Sequence, residues 1–493
     1  MPTDGRILHP EFYQKPPLKY RHRGAFNGLT TCVPYSPFLL PAEKVRRYEV
    51  QLISRIQNGD RQATRDLNEL ILNHSMGLQQ SLCRVLQEDS ENCGLVHGIN
   101  ASELLAETNA RVRYDPAASG YRGRVMTFLR GGRVVNKALA GGDIRDDQKV
   151  NYVQAVGLLT PLRKVRFGYS PVSGKDLIFI TTDHGPIPGV KDGYLLENTT
   201  AEMLFEQISD IDLLEAITKK IRDPQIKLAV IPVVDALGRI WPWKKIAHII
   251  DQENEYRKIS GVTSIFKILN AVQAIGRVDA EDIAHPLDYY DVIVTVGYKG
   301  LGSMMNSAAL LARRPVLEKL YPSNKRLPEY IEEFNALYRC PPYCFQYPHV
   351  LSGTISLPEI FSFSLALDHY YIRGAGKTFA ERRSNMLARI EYYRQQLISQ
   401  LDSRYFRVLE PSPGVRLISS VVCFGLQIGD LQLTQQIKNE AMQRNPAIIL
   451  SGNVGPILRL AIPEHLDDSG NFLSTMVNTA SVTLNSIARE LIL

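Results

Sequence analysis

Between positions 176 and 299 the chain alternates short unbroken apolar runs with longer amphipathic ones. DLIFITTDH, IKLAVIPVVD, SIFKILN and YDVIVTVGYK are too short for buried helices and rich in branched residues. They read as buried strands ending at His184, near Asp235, at Asn270 and at Lys299. Between the second and third, WKKIAHIIDQENE reads as a helix. Strands alternating with helices predict βαβ units and a mostly parallel sheet. Upstream, 42–88 reads as helix, with Val45, Tyr48, Val50, Leu52, Ile53, Ile56, Leu67, Leu70 and Ile71 near helical spacing. Residues 94–112 read as a short apolar start, a turn and a helix that Ser102 could cap.

From 315 the rhythm changes. Helices over 325–338, 357–372 and 376–403 precede short strands in VRLISSVVCFGLQI, AIILSG and ILRLAI, and a last helix covers 470–491. These patterns predict an irregular N-terminal arm with helices (1–90), a large α/β domain (91–312) and a smaller C-terminal α+β domain (313–493). The Gly- and Arg-rich stretch within 114–170 reads as an insertion or lid.

Composition narrows the classes. With 44% hydrophobic and 22% charged residues the chain is an ordinary globular one. A net charge of +6, with no long basic run, argues against a nucleic-acid partner. No apolar run reaches the roughly 18 residues of a membrane span, so no membrane partner is expected. Residues 1–24 lack the apolar core of a secretory signal, and six cysteines are too sparse for a disulfide framework. Both points lead to the expectation of a reduced, cytoplasmic setting. Cys340 and Cys344 make a poor zinc pair, since no second pair accompanies them.

The polar residues of interest fall at the C-terminal ends of successive strands, where open α/β sheets bind ligands. In order they are Asn100, Ala101 and Ser102, then His184, then Asn270 with Gln273, then Lys299. Backbone N–H groups at a helix start suit a phosphate. An imidazole can stack on an aromatic ring, an amide can meet a pyridine nitrogen, and a lysine can form a Schiff base. Together these are the parts of a pyridoxal 5'-phosphate (PLP) site.

At these residues the sequence resembles the class V branch of the fold-type I PLP-dependent enzymes, which includes aminotransferases, cysteine desulfurases and isopenicillin N epimerase-like proteins. NASELL (100–105) is similar to the family's phosphate turn, TTDH (181–184) to the stretch carrying a ring-stacking His, and VVDALGRIWPWKKIAHI (233–249) to the strand and turn that follow. LNAVQAIGRVD (269–279) is similar to V-D-x-x-Q-x-x-G-x-x-x-D, and VGYKGLGS (296–303) to S-x-H-K-x-x-G. LSGTIS (351–356) resembles the segment that closes the site from the partner subunit. ILRLAIPEHLDD (457–468) resembles the strand whose Arg holds a substrate carboxylate. The order of these stretches, with 29 residues from Asn270 to Lys299, carries the resemblance more than any one of them.

The resemblance implies a mostly parallel, seven-stranded-type sheet with helices on both faces, a homodimer, and an amino-acid-like substrate. It implies Lys299 as the Schiff-base lysine. Asn100, Ala101, Ser102, His184, Asn270, Gln273, Tyr298 and Thr354 would contact the cofactor, and Arg459 the substrate carboxylate. The reaction stays open among transamination, epimerisation and lyase chemistry.

Three departures matter. Asn270 stands where the family has an aspartate that keeps the pyridine nitrogen protonated; a neutral amide cannot do so. Val296 and Tyr298 stand where Ser and His are usual. ILSGNVG (449–455) lacks the cysteine a desulfurase would carry there. The changes at Asn270, Val296 and Tyr298 motivate a second reading, a non-catalytic or repurposed member that keeps the fold and dimer but has lost PLP.

Plainer readings stand beside each residue. Lys299 could be a solvated turn lysine, His184 a structural histidine, Asn270 a turn residue and Arg459 an ion-pair partner. Asp235 is an alternative to Asn270, but it lies 64 residues before Lys299. GAGKT (374–378) fails as a phosphate loop because Tyr371 occupies the place of its first glycine.

Overall fold

The computed structural model describes residues 39–98, 101, 127–130, 133–136, 177–179, 209–222, 224, 226, 228–235, 237–304, 307–320, 357–372, 377–409, 413–444, 450, 457–462 and 472–492.

The predicted N-terminal helix is two helices, α1 (Leu39–Gln57) and α2 (Arg61–Leu86). Asn58-Gly59-Asp60 breaks the run, and Asp60 caps α2 by accepting from the backbone N–H of Gln62 and Ala63 at 2.9 and 3.2 Å. Gln87, in the left-handed region, ends α2. Val45 and Leu52 are buried as the spacing predicts, whereas Tyr48, Val50 and Ile53 are exposed.

Strand β1 (Cys93–Gly98) then enters a sheet. A separate hairpin follows, β2 (Thr127–Arg130) with β3 (Arg133–Asn136), inside the predicted insertion. The sheet continues with β4 (Leu177–Phe179), β5 (Leu228–Pro232), β7 (Phe266–Asn270), β8 (Val292–Val296) and β9 (Ala308–Arg313); the short β6 (Arg239–Ile240) lies outside it. Among the described residues this sheet has six strands, ordered β1-β9-β8-β7-β5-β4. Strands β8, β7, β5 and β4 run parallel, and β9 is antiparallel to both its neighbours.

LAVIP and VIVTV are buried along their whole length, as parallel strands covered on both faces must be. Alternate residues feed two cores. Leu269, Ile293 and Leu311 pack on one face with α1 and α2. Ile268, Val292, Val294 and Val296 pack on the other with Leu317 and Leu320 of a helix that follows β9. Counting α3 (Asp210–Ile221) and α4 (Trp243–Ile259), that helix is α5 (Arg314–Leu320). α6 (Leu357–Leu367) packs its buried Phe361 and Phe363 into the α1–α2 core and runs on into a π-helical turn, Asp368–Ile372.

The C-terminal part has its own core around Leu397, Phe424, Leu460 and Leu484. It pairs β10 (Phe406–Val408), β12 (Val421–Leu426) and β13 (Ile457–Ala461) antiparallel, with α7 (Lys377–Gln400), α8 (Leu431–Gln443) and α9 (Phe472–Ile492). VRLISSVVCFGLQI, expected as one strand, is two: β11 (Arg416–Leu417) pairs with β6 of the large part, and β12 joins the small sheet. That ladder, with the Ile418 N–H donating to the Gly238 carbonyl at 2.8 Å, fastens the two parts together.

Candidate functional site

Three strands come level at the C-terminal edge of the sheet. Pro232 of β5, Asn270 of β7 and Val294 of β8 share one register. Two backbone bonds fix this row: Val233 N–H to the Asn270 carbonyl at 2.9 Å and Ala271 N–H to the Val294 carbonyl at 2.8 Å. Asn270 is therefore the last residue of its strand, as expected. Strand β8 ends earlier than expected, at Val296, and Lys299 sits in the turn beyond it, half-buried.

The Asn270 side chain is buried and its orientation is fixed by its own turn. The Val272 N–H donates to Asn270 Oδ1 at 3.1 Å. Only an oxygen can meet that N–H, so Nδ2 is the donor end of the amide. Residues 271–278 form a helical turn, with Ala274 and Ile275 N–H donating to the Ala271 carbonyl at 3.0 and 3.3 Å. This puts buried Gln273 and Arg277 on one side, four residues apart, and Arg277 donates to Gln273 Oε1. Gln273 is thereby left with an amide nitrogen to offer.

The glycines around Lys299 have steric reasons. A Cβ on Gly297 would stand 2.6 Å from Phe363 of α6. A Cβ on Gly300 would strike the Ile275 carbonyl oxygen, and the Arg277 stem lies 3.0 Å from the same point. From the other side, a Cβ on Gly276 would lie 2.6 Å from the Gly300 carbonyl carbon, and Gly276 has φ of +87°. The turn carrying Gln273 and the turn carrying Lys299 thus press backbone against backbone.

Both turns are also held from α6. Tyr371, in the π-helical turn, accepts from the Gly276 N–H at 2.6 Å and donates to the Val278 carbonyl at 3.1 Å. Ser362 accepts from the Met304 N–H at 3.1 Å. Within the Lys299 loop, Ser303 N–H closes on the Gly297 carbonyl at 3.1 Å, and the Ser303 and Ser307 hydroxyls bond at 2.6 Å.

Of the other expected residues, Ala101 is buried in the same cluster as Val272, and Tyr298 packs against that cluster. The structure so places Ala101 in one cluster with Val272, just after β7, and Val296, the end of β8. Asn100, Ser102, His184 and Thr354 lie outside the described residues, as do Cys340 and Cys344. Asp235 has a different task. Its carboxylate accepts from Leu237 N–H at 2.8 Å, Arg239 N–H at 3.0 Å and Trp241 Nε1 at 2.9 Å, all from its own turn.

Arg459 lies in β13 directly opposite Cys423 of β12, so the two side chains share a face. Leu458 and Leu460 point into the C-terminal core. Cys423 points the other way, with Sγ 3.5 Å from the Leu237 carbonyl oxygen, and so therefore does Arg459, toward the large part. Burial pushes the Cys423 thiol up to about 12, with the Arg459 charge pulling it back. Arg277, Tyr371 and Ser362 were not singled out from the sequence. The i, i+4 spacing of Gln273 and Arg277 is a signal that could have found Arg277; Tyr371 and Ser362 act through tertiary contacts. Among the described residues no acidic, His or Cys cluster could hold a metal ion, and no helix is long and apolar enough to cross a membrane.

Among solved structures, the chain is similar to the alanine–glyoxylate aminotransferase from Nostoc sp., at 13% identity and a TM-score of 0.52, covering 96% of this chain and 97% of that one. It is also similar to pyridoxamine–pyruvate aminotransferase from Mesorhizobium loti, at 13% identity and a TM-score of 0.50, covering 96% and 98%. The chain has the fold-type I fold of class V PLP-dependent enzymes. In that fold the row Pro232–Asn270–Val294 is the edge of the central sheet. No family model matches the sequence, and no curated protein sequence does.

Proposed function

We propose that this chain is a PLP-dependent enzyme of class V type that acts on an amino acid or an amine-bearing small molecule. The observation that carries the reading is the buried Asn270 at the end of β7, whose Oδ1 is bound by Val272 N–H, so that Nδ2 is the donor end of the amide. That donor fits the lone pair of an unprotonated pyridine nitrogen, and Gln273 offers a second donor three residues on. The fold and the chemistry of these groups therefore fit the cofactor. Bound there, PLP supplies an aldehyde that bonds an amine and a ring that withdraws electrons from it.

Each side chain then has a task. Lys299 Nζ would hold the cofactor through its aldehyde and, when free, would take and return a proton. Asn270 donates to the ring nitrogen without protonating it, which suits a reaction step that places little negative charge on the ring. Gln273 donates to the ring hydroxyl. Arg459, buried and facing the large part, pairs with a substrate carboxylate. Asn100, Ala101 and Ser102 bind the phosphate, His184 stacks on the ring, and Tyr298 and Thr354 complete the cofactor's contacts. The reading includes a homodimer, for which Val50 and Ile53, exposed on α1, are apolar side chains a partner would cover.

The test is a visible absorption spectrum of the purified protein before and after adding PLP, with borohydride reduction and peptide mapping. A yellow protein with the reduced adduct on Lys299 is the expected outcome. A protein that stays colourless with excess PLP would overturn the reading in favour of a fold put to another use.

A further inference from the structure

Arg277 is a buried cation that the proposed chemistry does not use. Its stem lies against Gly300, next to Lys299, and its guanidinium donates to Gln273 Oε1. It therefore spans the two turns that carry the cofactor lysine and the amide beside the ring. A guanidinium remains charged at any ordinary pH. Donation from a cation to an amide oxygen draws electron density from the amide and makes its N–H a stronger donor. That coupling would be lost with an uncharged residue at 277, whatever its shape.

Resting on the PLP reading above, we infer that Arg277 is a positioning residue. It holds Gln273 with its nitrogen toward the cofactor's ring hydroxyl and strengthens that hydrogen bond. The inference explains how a site with Asn270 can still draw charge from a bound amine. With no proton on the ring nitrogen, the hydroxyl side is where the protein can stabilise negative charge. Arg277 supplies a positive charge there through one intervening amide. Among the described residues, the other titratable or charged groups on the packed turns are Lys299, Tyr298, Asp279 and Tyr371.

The experiment follows the visible band of the PLP-loaded protein with pH in wild type, R277Q, R277M and R277K. A stronger donor on the ring hydroxyl competes with the proton on the Lys299–cofactor nitrogen. Arg277 should therefore lower the pH at which the band changes. R277Q is expected to raise the transition by about half a pH unit or more, with R277K in between. R277M keeps the stem against Gly300 and carries the same expectation where R277Q fails to fold. Q273M should raise the transition too, and adding R277Q to it should shift it no further.

A wild-type band that R277Q and R277M leave unmoved would overturn the inference and spare the PLP reading. So would R277Q and Q273M shifts that simply add. A wild-type protein with no band in excess PLP would overturn both.

Discussion

Gly276 and Gly300 meet backbone to backbone, so closely that a Cβ on Gly276 would lie 2.6 Å from the Gly300 carbonyl carbon. Gly276 also has φ of +87°, which a side chain resists. Gly276→Ala should therefore cost about 2–4 kcal/mol of stability, measured by urea unfolding. Gly300→Ala meets the same contact from the other side, against the Ile275 carbonyl. The double variant is expected to cost clearly less than the two singles added together, because one separation of the two turns relieves both clashes. Simple additivity would show that the two turns are not in contact.

Asn270 gives a second prediction, now on cofactor binding. Asn270→Ala removes one donor to the ring and should weaken PLP binding about tenfold, the worth of one hydrogen bond of roughly 1.4 kcal/mol. Asn270→Asp keeps an oxygen for the Val272 N–H and offers the ring a carboxylate that favours a protonated nitrogen. It should bind PLP at least as tightly as wild type. Equilibrium dialysis checks both, and weaker binding by Asn270→Asp would place the ring nitrogen elsewhere.

Asp235 should behave in the opposite manner. It is engaged by two backbone N–H groups and by Trp241 Nε1, so Asp235→Ala leaves three donors unmatched in a buried turn. A loss of about 2–4 kcal/mol in stability is expected, with a shift in tryptophan emission. Cofactor affinity of the folded fraction should be unchanged; a large loss there would reinstate Asp235 as the ring partner.

Glu49 supplies a pH effect with a definite sign. Burial, and next the neighbouring Glu359 carboxylate, push Glu49 from 4.5 to about 7, with Arg46 acting against them. The folded state thus holds a proton that the unfolded state releases earlier. The stabilisation is complete below about pH 4.5 and is lost as pH rises through about 7. Glu49→Gln should match wild type near pH 4.5 and melt higher at pH 8. Equal melting temperatures at both pH values would remove Glu49 from the account.

Much of the sheet was legible because its strands are buried on both faces. LAVIP and VIVTV leave no room for alternation, and the ends of FKILN and VIVTV locate Asn270 and the approach to Lys299. What escaped depends on tertiary partners. Nothing local in VRLISSVVCFGLQI says that Arg416 pairs with Ile240 while Val421 pairs with Ala461. The break at Asn58-Gly59-Asp60 was hidden because apolar spacing resumes beyond it; the Asp60 cap was the available signal. The β2–β3 hairpin was readable from TFLR-GG-RVVN, a glycine pair between two strand-like runs. In the site, Lys299, Asn270 and Gln273 stood out by spacing. Arg277 and Tyr371 did not, because their value comes from what they touch.

Tyr371 bonds to both ends of the Gly276–Val278 turn, while Ser362, nine residues before it, holds the loop after Lys299 at Met304. One continuous helical stretch therefore grips both turns. Neither can fray without the other, so they form one cooperative opening unit. The amide protons of Gly276 and Met304 should then exchange with solvent at matched free energies, and loosening at Tyr371 should be felt at the lysine's own loop.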